Sequence, residues 1–212
     1  MEQRGFRLAI KKAIDRTVAA TVLVAAAPAI AATAVAVRVV LGRPILFRQM
    51  RPGLKGKPFE IIKFRTMTSE RRSNGQLLPD GRRLTQLGKF LRRTSLDELP
   101  QLWCVLKGDL SLVGPRPLLM EYLDRYTPEE MRRHDVMPGI TGLAAVRGRN
   151  GLTWEEKFRL DVEYVDTWSL ALDCRILVET ARQVVLGANV ETPTGEMMPN
   201  LRPWLGTTRT DA

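Results

Sequence analysis

The run Thr17–Val37, TVAATVLVAAAPAIAATAVAV, carries no charged side chain, and basic residues crowd both its ends. As a helix rising about 1.5 Å per residue, these roughly 21 residues match a bilayer core of about 30 Å. Pro28 lies at the midpoint, where it removes one helix hydrogen bond and collides with the preceding turn. Arg4, Arg7, Lys11, Lys12 and Arg16 precede the run; Arg38, Arg43, Arg48 and Arg51 follow it. Positive charge favours the cytoplasmic side of a membrane, so both ends are expected there. A helix that enters, breaks at Ala27-Pro28 and returns meets both conditions, each arm of about ten residues reaching roughly halfway through the hydrocarbon. Backbone groups freed at the break then need partners, because lipid offers none. A proline-kinked spanning helix fits the pattern about equally well. A buried alanine-rich core helix fits it less well, given the length and the flanking charge. No cleavage region follows, so the run does not read as a secretory signal. On the re-entrant path, cysteines placed at Gln3 and Gln49 would label from one side of the membrane.

The 212 residues suit one domain with appendages, and 44% hydrophobic residues are enough for a core. A net charge of +10 favours polyanions: nucleic acid, anionic lipid head groups or phosphorylated substrates. An aromatic content of 6% argues against single-strand binding by base stacking. Cys104 and Cys174 form no CxxC pair, so neither a disulfide framework nor a thiolate zinc site is supported; both read as buried small apolar side chains. His134, the single histidine, cannot assemble a histidine-rich metal site, and with no GxSxG elbow beside it reads as packing or capping a helix end.

Beyond the apolar run, Gly42 to Met67 reads as loop and strand, with strand-like composition from Phe59 to Arg65. Ser69 to Gln86 reads as an exposed insertion, and Leu87 to Arg93 as a short amphipathic stretch. Ser95 to Lys107 is predicted as one helix, with Ser95 and Glu98 fitting a capping box and Gly108 a stop. Asp109 to Val113 fits a short strand, and Gly114-Pro115-Arg116-Pro117 a stiff turn, because both prolines fix φ. Thr127 and Thr153 each open a helix, the second running to about Thr167; Asp173 to Leu186 is a further helix. From Gly187 onward an extended or mobile tail is expected.

Asp97 and Glu98 fall in the first turn of the predicted helix, where the dipole and unpaired N–H groups favour ionised carboxylates. Two adjacent carboxylates repel, so a cation is expected nearby. A hard divalent ion such as Mg²⁺ suits oxygen ligands and commonly shares them with phosphates. Taken alone, the pair reads as ordinary acids at a helix start. The surroundings shift that balance: Arg92 and Arg93 lie just upstream, and Lys63, Arg65 and Arg116 are further candidates. Arg116 stands between two prolines, so its backbone is preset and its guanidinium can grip phosphate in bidentate fashion. The set suggests a nucleotide diphosphate and phosphoryl-type chemistry.

The blocks Thr94–Leu102, Lys107–Ser111 and Gly114–Pro117 resemble the core of the bacterial monotopic phosphoglycosyl transferases, the initiating sugar transferases of glycoconjugate assembly. The resemblance extends to Gln49–Gly53, Lys63–Met67, Pro138–Gly142 and Gly148–Asn150, and runs from about Lys11 to about Leu186. It implies a mostly helical α+β fold. A re-entrant membrane helix broken at Pro28 would occupy residues 1–41. A catalytic domain with amphipathic interfacial helices and a small β-hairpin would fill 42–187, and a tail 188–212. It also implies a two-step reaction at the cytoplasmic face of the bacterial plasma membrane. Asp97 attacks the sugar-bearing phosphate of a UDP-sugar and releases UMP, and a polyprenyl phosphate then takes the sugar phosphate. Glu98 would join Asp97 in holding Mg²⁺, with Lys63, Arg92 and Arg116 near the nucleotide or phosphates. Asp161 and Asp173 fall in matching segments without an assigned role. Membrane lipids are implied partners, and the oligomeric state is open between monomer and homodimer.

The chain departs from the family pattern in places. Ala27 stands where serine is common before the proline, and so offers no hydroxyl to a freed carbonyl. Cys104 stands where asparagine is common, and Leu143, Ala145 and Arg147 replace tryptophan, glutamine and asparagine in a region expected near the sugar. The chain resembles the short form of the family, which points toward an N-acetylated hexose without fixing it. The competing readings are a membrane-anchored basic module binding nucleic acid or lipid without catalysis, and a structural membrane scaffold. Neither uses the ordered motifs, and no nucleic-acid-binding motif is visible, so nucleic acid is not an expected partner.

Overall fold

The computed structural model describes residues 5–148 and 151–186. Expectations for Gln3, Arg149, Asn150 and the tail from Gly187 lie outside the described residues. Helix α1 spans Gly5–Ala25 and α2 spans Ala27–Leu41, with a 64° bend between them. The break falls at Ala26, one residue before the expected step. Pro28 therefore sits in the first turn of α2, where a missing N–H costs least. The Ala26 amide donates to the Val22 carbonyl and its own carbonyl accepts from Ile30, both at 2.8 Å. Backbone bonding thus continues across the bend without a side-chain hydroxyl. Among the described residues no single helix is long and apolar enough to cross a membrane, but this bent pair passes by length and composition.

Both arms lie on the body along one face. Ala19 of α1 is buried in the main core, and Val37 of α2 packs with Phe64 and Leu91. Val18, Val24, Val35, Val39 and Val40 are left exposed on other faces.

Strands β1 (Leu46–Pro52) and β2 (Pro58–Phe64) form an antiparallel hairpin in the register Leu46 opposite Phe64 to Pro52 opposite Pro58. Side chains alternate along a strand, so Lys63 shares the face of the buried Phe59 and Ile61. The polar stretch that follows is mostly exposed and holds the single turn α3 (Asp80–Arg83). Helix α4 (Gln86–Arg93) is capped by the Thr85 hydroxyl, which accepts from the Gly88 amide.

The predicted helix Ser95–Lys107 is two elements: a 3-10 turn over Leu96–Glu98, then α5 (Gln101–Lys107). Ser95 takes a left-handed φ of 57°, and its side chain makes no cap hydrogen bond, so the expected capping box with Glu98 does not form. Pro100 accounts for the change. It has no N–H for the Leu96 carbonyl, which accepts instead from the Leu99 amide at 3.4 Å. Gly108 ends α5 as expected, at φ 87°.

Strand β3 (Ser111–Val113) pairs in parallel with β4 (Gly139–Thr141), a strand the sequence did not reveal. Between them lie α6 (Pro128–Met131) and a 3-10 turn over Arg132–His134. Helices α7 (Leu143–Arg147), α8 (Trp154–Thr167) and α9 (Leu170–Val185) follow. The capping boxes of Thr127 with Glu130 and Thr153 with Glu156 both form. The fold is α+β and mostly helical, with two sheets of two strands each among the described residues.

A buried polar cluster fastens α1 to this body. Lys11 Nζ donates to Asp173 Oδ2 at 2.7 Å and to the Val113 carbonyl at 3.1 Å. Tyr164 and Trp168 also donate to Asp173, at 2.7 and 3.1 Å, and the Ser111 hydroxyl donates to Asp15 at 2.6 Å. Asp173 therefore serves the fold. Cys104 is buried as expected, but Cys174 is exposed, because Asp173 and Ile176 take the buried face of α9. His134 is buried beneath α6, its Nδ1 3.3 Å from the Met131 carbonyl; burial pulls its pKa down to about 4.

Candidate active site

The hairpin, the 3-10 turn and the Gly114–Pro117 turn bring Lys63, Glu98 and Arg116 together. Lys63 Nζ donates to Glu98 Oε1 at 2.6 Å. Arg116 pairs with the same oxygen through Nη2, while its Nη1 lies 3.5 Å from Glu98 Oε2 and 3.3 Å from the Ile140 carbonyl. Burial alone would raise the Glu98 carboxyl, but Arg116 and then Lys63 outweigh it and hold the pKa at about 2. Burial lowers the Lys63 ammonium against the pull of Glu98, and Glu98 raises the Arg116 guanidinium.

Asp97 behaves oppositely. It is 7% exposed, and burial, then the Glu98 charge beside it, push its pKa up to about 6 against Lys63, Arg92 and Arg116. The expectation of two carboxylates equally favoured in ionised form holds for Glu98 alone. The two residues do not occupy the first turn of an α-helix, and their neighbours, more than a helix dipole, set their charge. Among the described residues no hydrogen bond or ion pair reaches the Asp97 carboxylate, yet neither oxygen is sealed from solvent. A carboxylate that is poorly solvated, unpaired and accessible is a potential nucleophile. Arg92, in the last turn of α4, donates through Nε to the Thr66 hydroxyl at 3.2 Å and adds positive charge near Asp97. Arg65 is not part of the site: it donates to the carbonyls of Leu41, Pro44 and Met67, tying the end of α2 to the hairpin.

The motif blocks Lys107–Ser111 and Gly114–Pro117 flank β3, and the block Pro138–Gly142 holds its parallel partner β4. A Cβ on Gly139 would come within 2.1 Å of the Gly114 nitrogen, and one on Gly142 within 2.3 Å of the Gly114 oxygen. Only glycine allows this backbone approach, which sets the base of the Arg116 turn. Beyond it, Leu143 is buried in the main core, and Arg147 is exposed.

A divalent cation finds a limited donor set here. No group of three or more His, Cys, Asp or Glu that could hold a metal occurs among the described residues. The two Asp97 oxygens and Glu98 Oε2 retain acceptor capacity, while Glu98 Oε1 is taken by Lys63 and Arg116. That fits Mg²⁺, which commonly binds one or two carboxylates and completes its shell with phosphate and water.

The family model for the bacterial sugar transferases matches residues 6–187. An uncharacterized sugar transferase of Bacillus subtilis, EpsL, is 54% identical over 182 residues, covering 86% of this chain and 90% of that protein. A UDP-glucose:undecaprenyl-phosphate glucose-1-phosphate transferase of Caulobacter vibrioides is 39% identical over 191 residues, covering 84% of this chain and 71% of that protein. A protein of the same description from Escherichia coli is 38% identical over 186 residues, but the match spans only 40% of its length. The readings as a binding module or a scaffold without catalysis give way to these matches. With the motif blocks folded into one charged site and matched across most of their length, the chain belongs to the bacterial sugar transferase family and is an enzyme of the phosphoglycosyl transferase class.

Proposed function

We propose that the chain transfers a sugar 1-phosphate from a UDP-sugar to a polyprenyl phosphate, undecaprenyl phosphate in the first instance, and so initiates a glycoconjugate or polysaccharide. The observation that carries this reading is the contrast between neighbours: Glu98 is locked between Lys63 and Arg116, while Asp97 is unpaired, with its pKa raised to about 6. In the first step an Asp97 carboxylate oxygen attacks the phosphorus bearing the sugar. The bond to the UMP oxygen breaks, and UMP leaves with the electron pair. In the second step an oxygen of the lipid phosphate attacks the same phosphorus and the Asp97 carboxylate departs. Arg116, Lys63 and Arg92 offset the charge of the diphosphate as the anionic nucleophile approaches. Mg²⁺ held by Asp97 and Glu98 would screen the repulsion between carboxylate and phosphate.

The bent pair α1–α2 supports a re-entrant insertion of residues 1–41 from the cytoplasmic face, with 42–187 as the catalytic domain and 188–212 as a tail. Such a monotopic arrangement keeps Asp97 close to the lipid head groups. The names of the relatives support a UDP-sugar donor and undecaprenyl phosphate acceptor; the sugar itself is open. The test is UMP release across a panel of UDP-sugars with undecaprenyl phosphate and Mg²⁺, joined to intact-mass measurement without lipid. One donor should yield UMP and a sugar-phosphate adduct on Asp97, both absent in Asp97→Asn. Turnover by Asp97→Asn overturns the nucleophile, and turnover in excess chelator overturns the metal.

A further inference from the structure

We propose that Arg133 and Asp161 are positioning residues that fix Arg116 for its contact with Glu98 and with the anionic donor. Arg133 lies in the 3-10 turn after α6 and Asp161 on α8, and each is 2% exposed. Asp161 Oδ2 accepts from Arg133 Nε at 3.0 Å and from Nη2 at 2.7 Å. The same Nη2 donates to the Arg116 carbonyl at 2.8 Å, and Nη1 donates to the Tyr126 hydroxyl at 3.3 Å. The rings of Tyr126 and Phe158 lie 5.6 and 5.7 Å from the guanidinium carbon. The side-on grip of Asp161 therefore sets the guanidinium plane, and one remaining hydrogen is aimed at the backbone of the residue between the two prolines.

A buried ion pair is expensive to desolvate, and a well-packed apolar pair of similar volume often serves stability as well. Stability alone is a weak reason for these two charges. Their geometry supplies a better one: an unbroken series of contacts runs from Asp161 through Arg133 to the Arg116 backbone, and from the Arg116 guanidinium to Glu98. Pro115 and Pro117 fix φ beside Arg116, and Arg133 holds its carbonyl, so the side chain leaves the turn in one direction. Asn at 161 would give the guanidinium a neutral acceptor only. Lys at 133 keeps the charge but cannot make both bonds at these angles.

The experiment uses the full chain in nanodiscs, with Asp161→Asn, Arg133→Lys, Arg116→Lys and the Arg133→Lys/Arg116→Lys double variant. Two readouts are taken: UDP affinity by calorimetry, and solvent exchange of the Arg116 guanidinium protons by nitrogen NMR. The first rests on the donor proposed above; the second needs no ligand. Asp161→Asn and Arg133→Lys should each weaken UDP binding about tenfold and quicken the Arg116 exchange severalfold. Adding Arg133→Lys to Arg116→Lys should weaken UDP binding no further. Arg133→Lys, which keeps the charge, decides the matter if Asp161→Asn does not fold. An unmoved Arg116 exchange, or losses that add independently in the double variant, overturns the positioning role. Absence of UDP binding by the unaltered chain overturns the donor assignment instead, and the Arg116 exchange still decides the role of Arg133.

Discussion

Lys63 and Glu98, 35 residues apart in sequence, meet at 2.6 Å, and the same Glu98 oxygen also takes the arginine of the proline-framed turn. The pair is only partly exposed, so removing its negative member leaves two cations facing each other in poor solvent. Glu98→Gln should destabilise the chain by about 3 kcal/mol, read by chemical denaturation. Lys63→Met in that background should recover part of the loss. The Glu98 pKa is depressed from 4.5 to about 2, so its stabilisation is full above pH 4.5 and is lost as pH falls through 2. A Glu98→Gln variant as stable as the parent at pH 7 would contradict this.

Asp97 has the opposite sign. Its folded pKa is raised from 3.8 to about 6, so ionising it costs stability as pH rises through 6. Asp97→Asn should lose all turnover yet melt higher than the parent at pH 7.5, by up to about 3 kcal/mol of added stability. That advantage should shrink on acidification and vanish below pH 4. A variant that melts lower at pH 7.5 would show that the aspartate is not strained.

With Asp97 as the nucleophile proposed above, the same displacement should govern rate. The attacking carboxylate must be ionised, so UMP release under limiting donor should fall about tenfold per pH unit below roughly pH 6. The limb is read from kcat/KM between pH 4.5 and 8. A flat profile down to pH 4.5 would assign the reaction to another group.

Topology is open to chemical labelling. Phe6 and Met50 are exposed, one on each side of the uncharged run Thr17–Val37. With Cys174→Ser removing the exposed native thiol, Phe6→Cys and Met50→Cys should both react with an impermeant maleimide from the cytoplasmic side. Labelling from opposite faces would mean that α1 and α2 span the bilayer.

Periodicity and capping chemistry carried much of the fold. Thr153 with Glu156 and Pro128 behind Thr127 are local signals, and the helices they open are where they were expected. The break near Pro28 was legible because proline acts on its own turn. The start of α5 was misread because Ser95 and Glu98 have the spacing of a capping box, and Lys63 and Arg116 claim the glutamate from elsewhere in the fold. Strand β4 was invisible for a related reason. Three residues paired in parallel with Ser111–Val113 have no alternation to display, and the contact of Gly114 with Gly139 exists only in three dimensions. In the candidate site, Asp97, Glu98, Lys63 and Arg116 stand in the motif blocks and Arg92 two residues before the first of them, and the fold brings their charges together. The contrast between the two acids was not legible, since it depends on which one the cations reach.

The Lys11–Asp173 ion pair joins residues 162 positions apart. At about 5–20 residues per second, the ribosome delivers the aspartate roughly 8–30 s after the lysine. For that interval Lys11 has only Asp15, four residues on in the same helix, as its partner, and on the insertion proposed above the hairpin would settle into lipid before any body is present to hold it. Locking waits until α9 docks, so on that proposal a product truncated before α9 would keep its foothold and lose its lock.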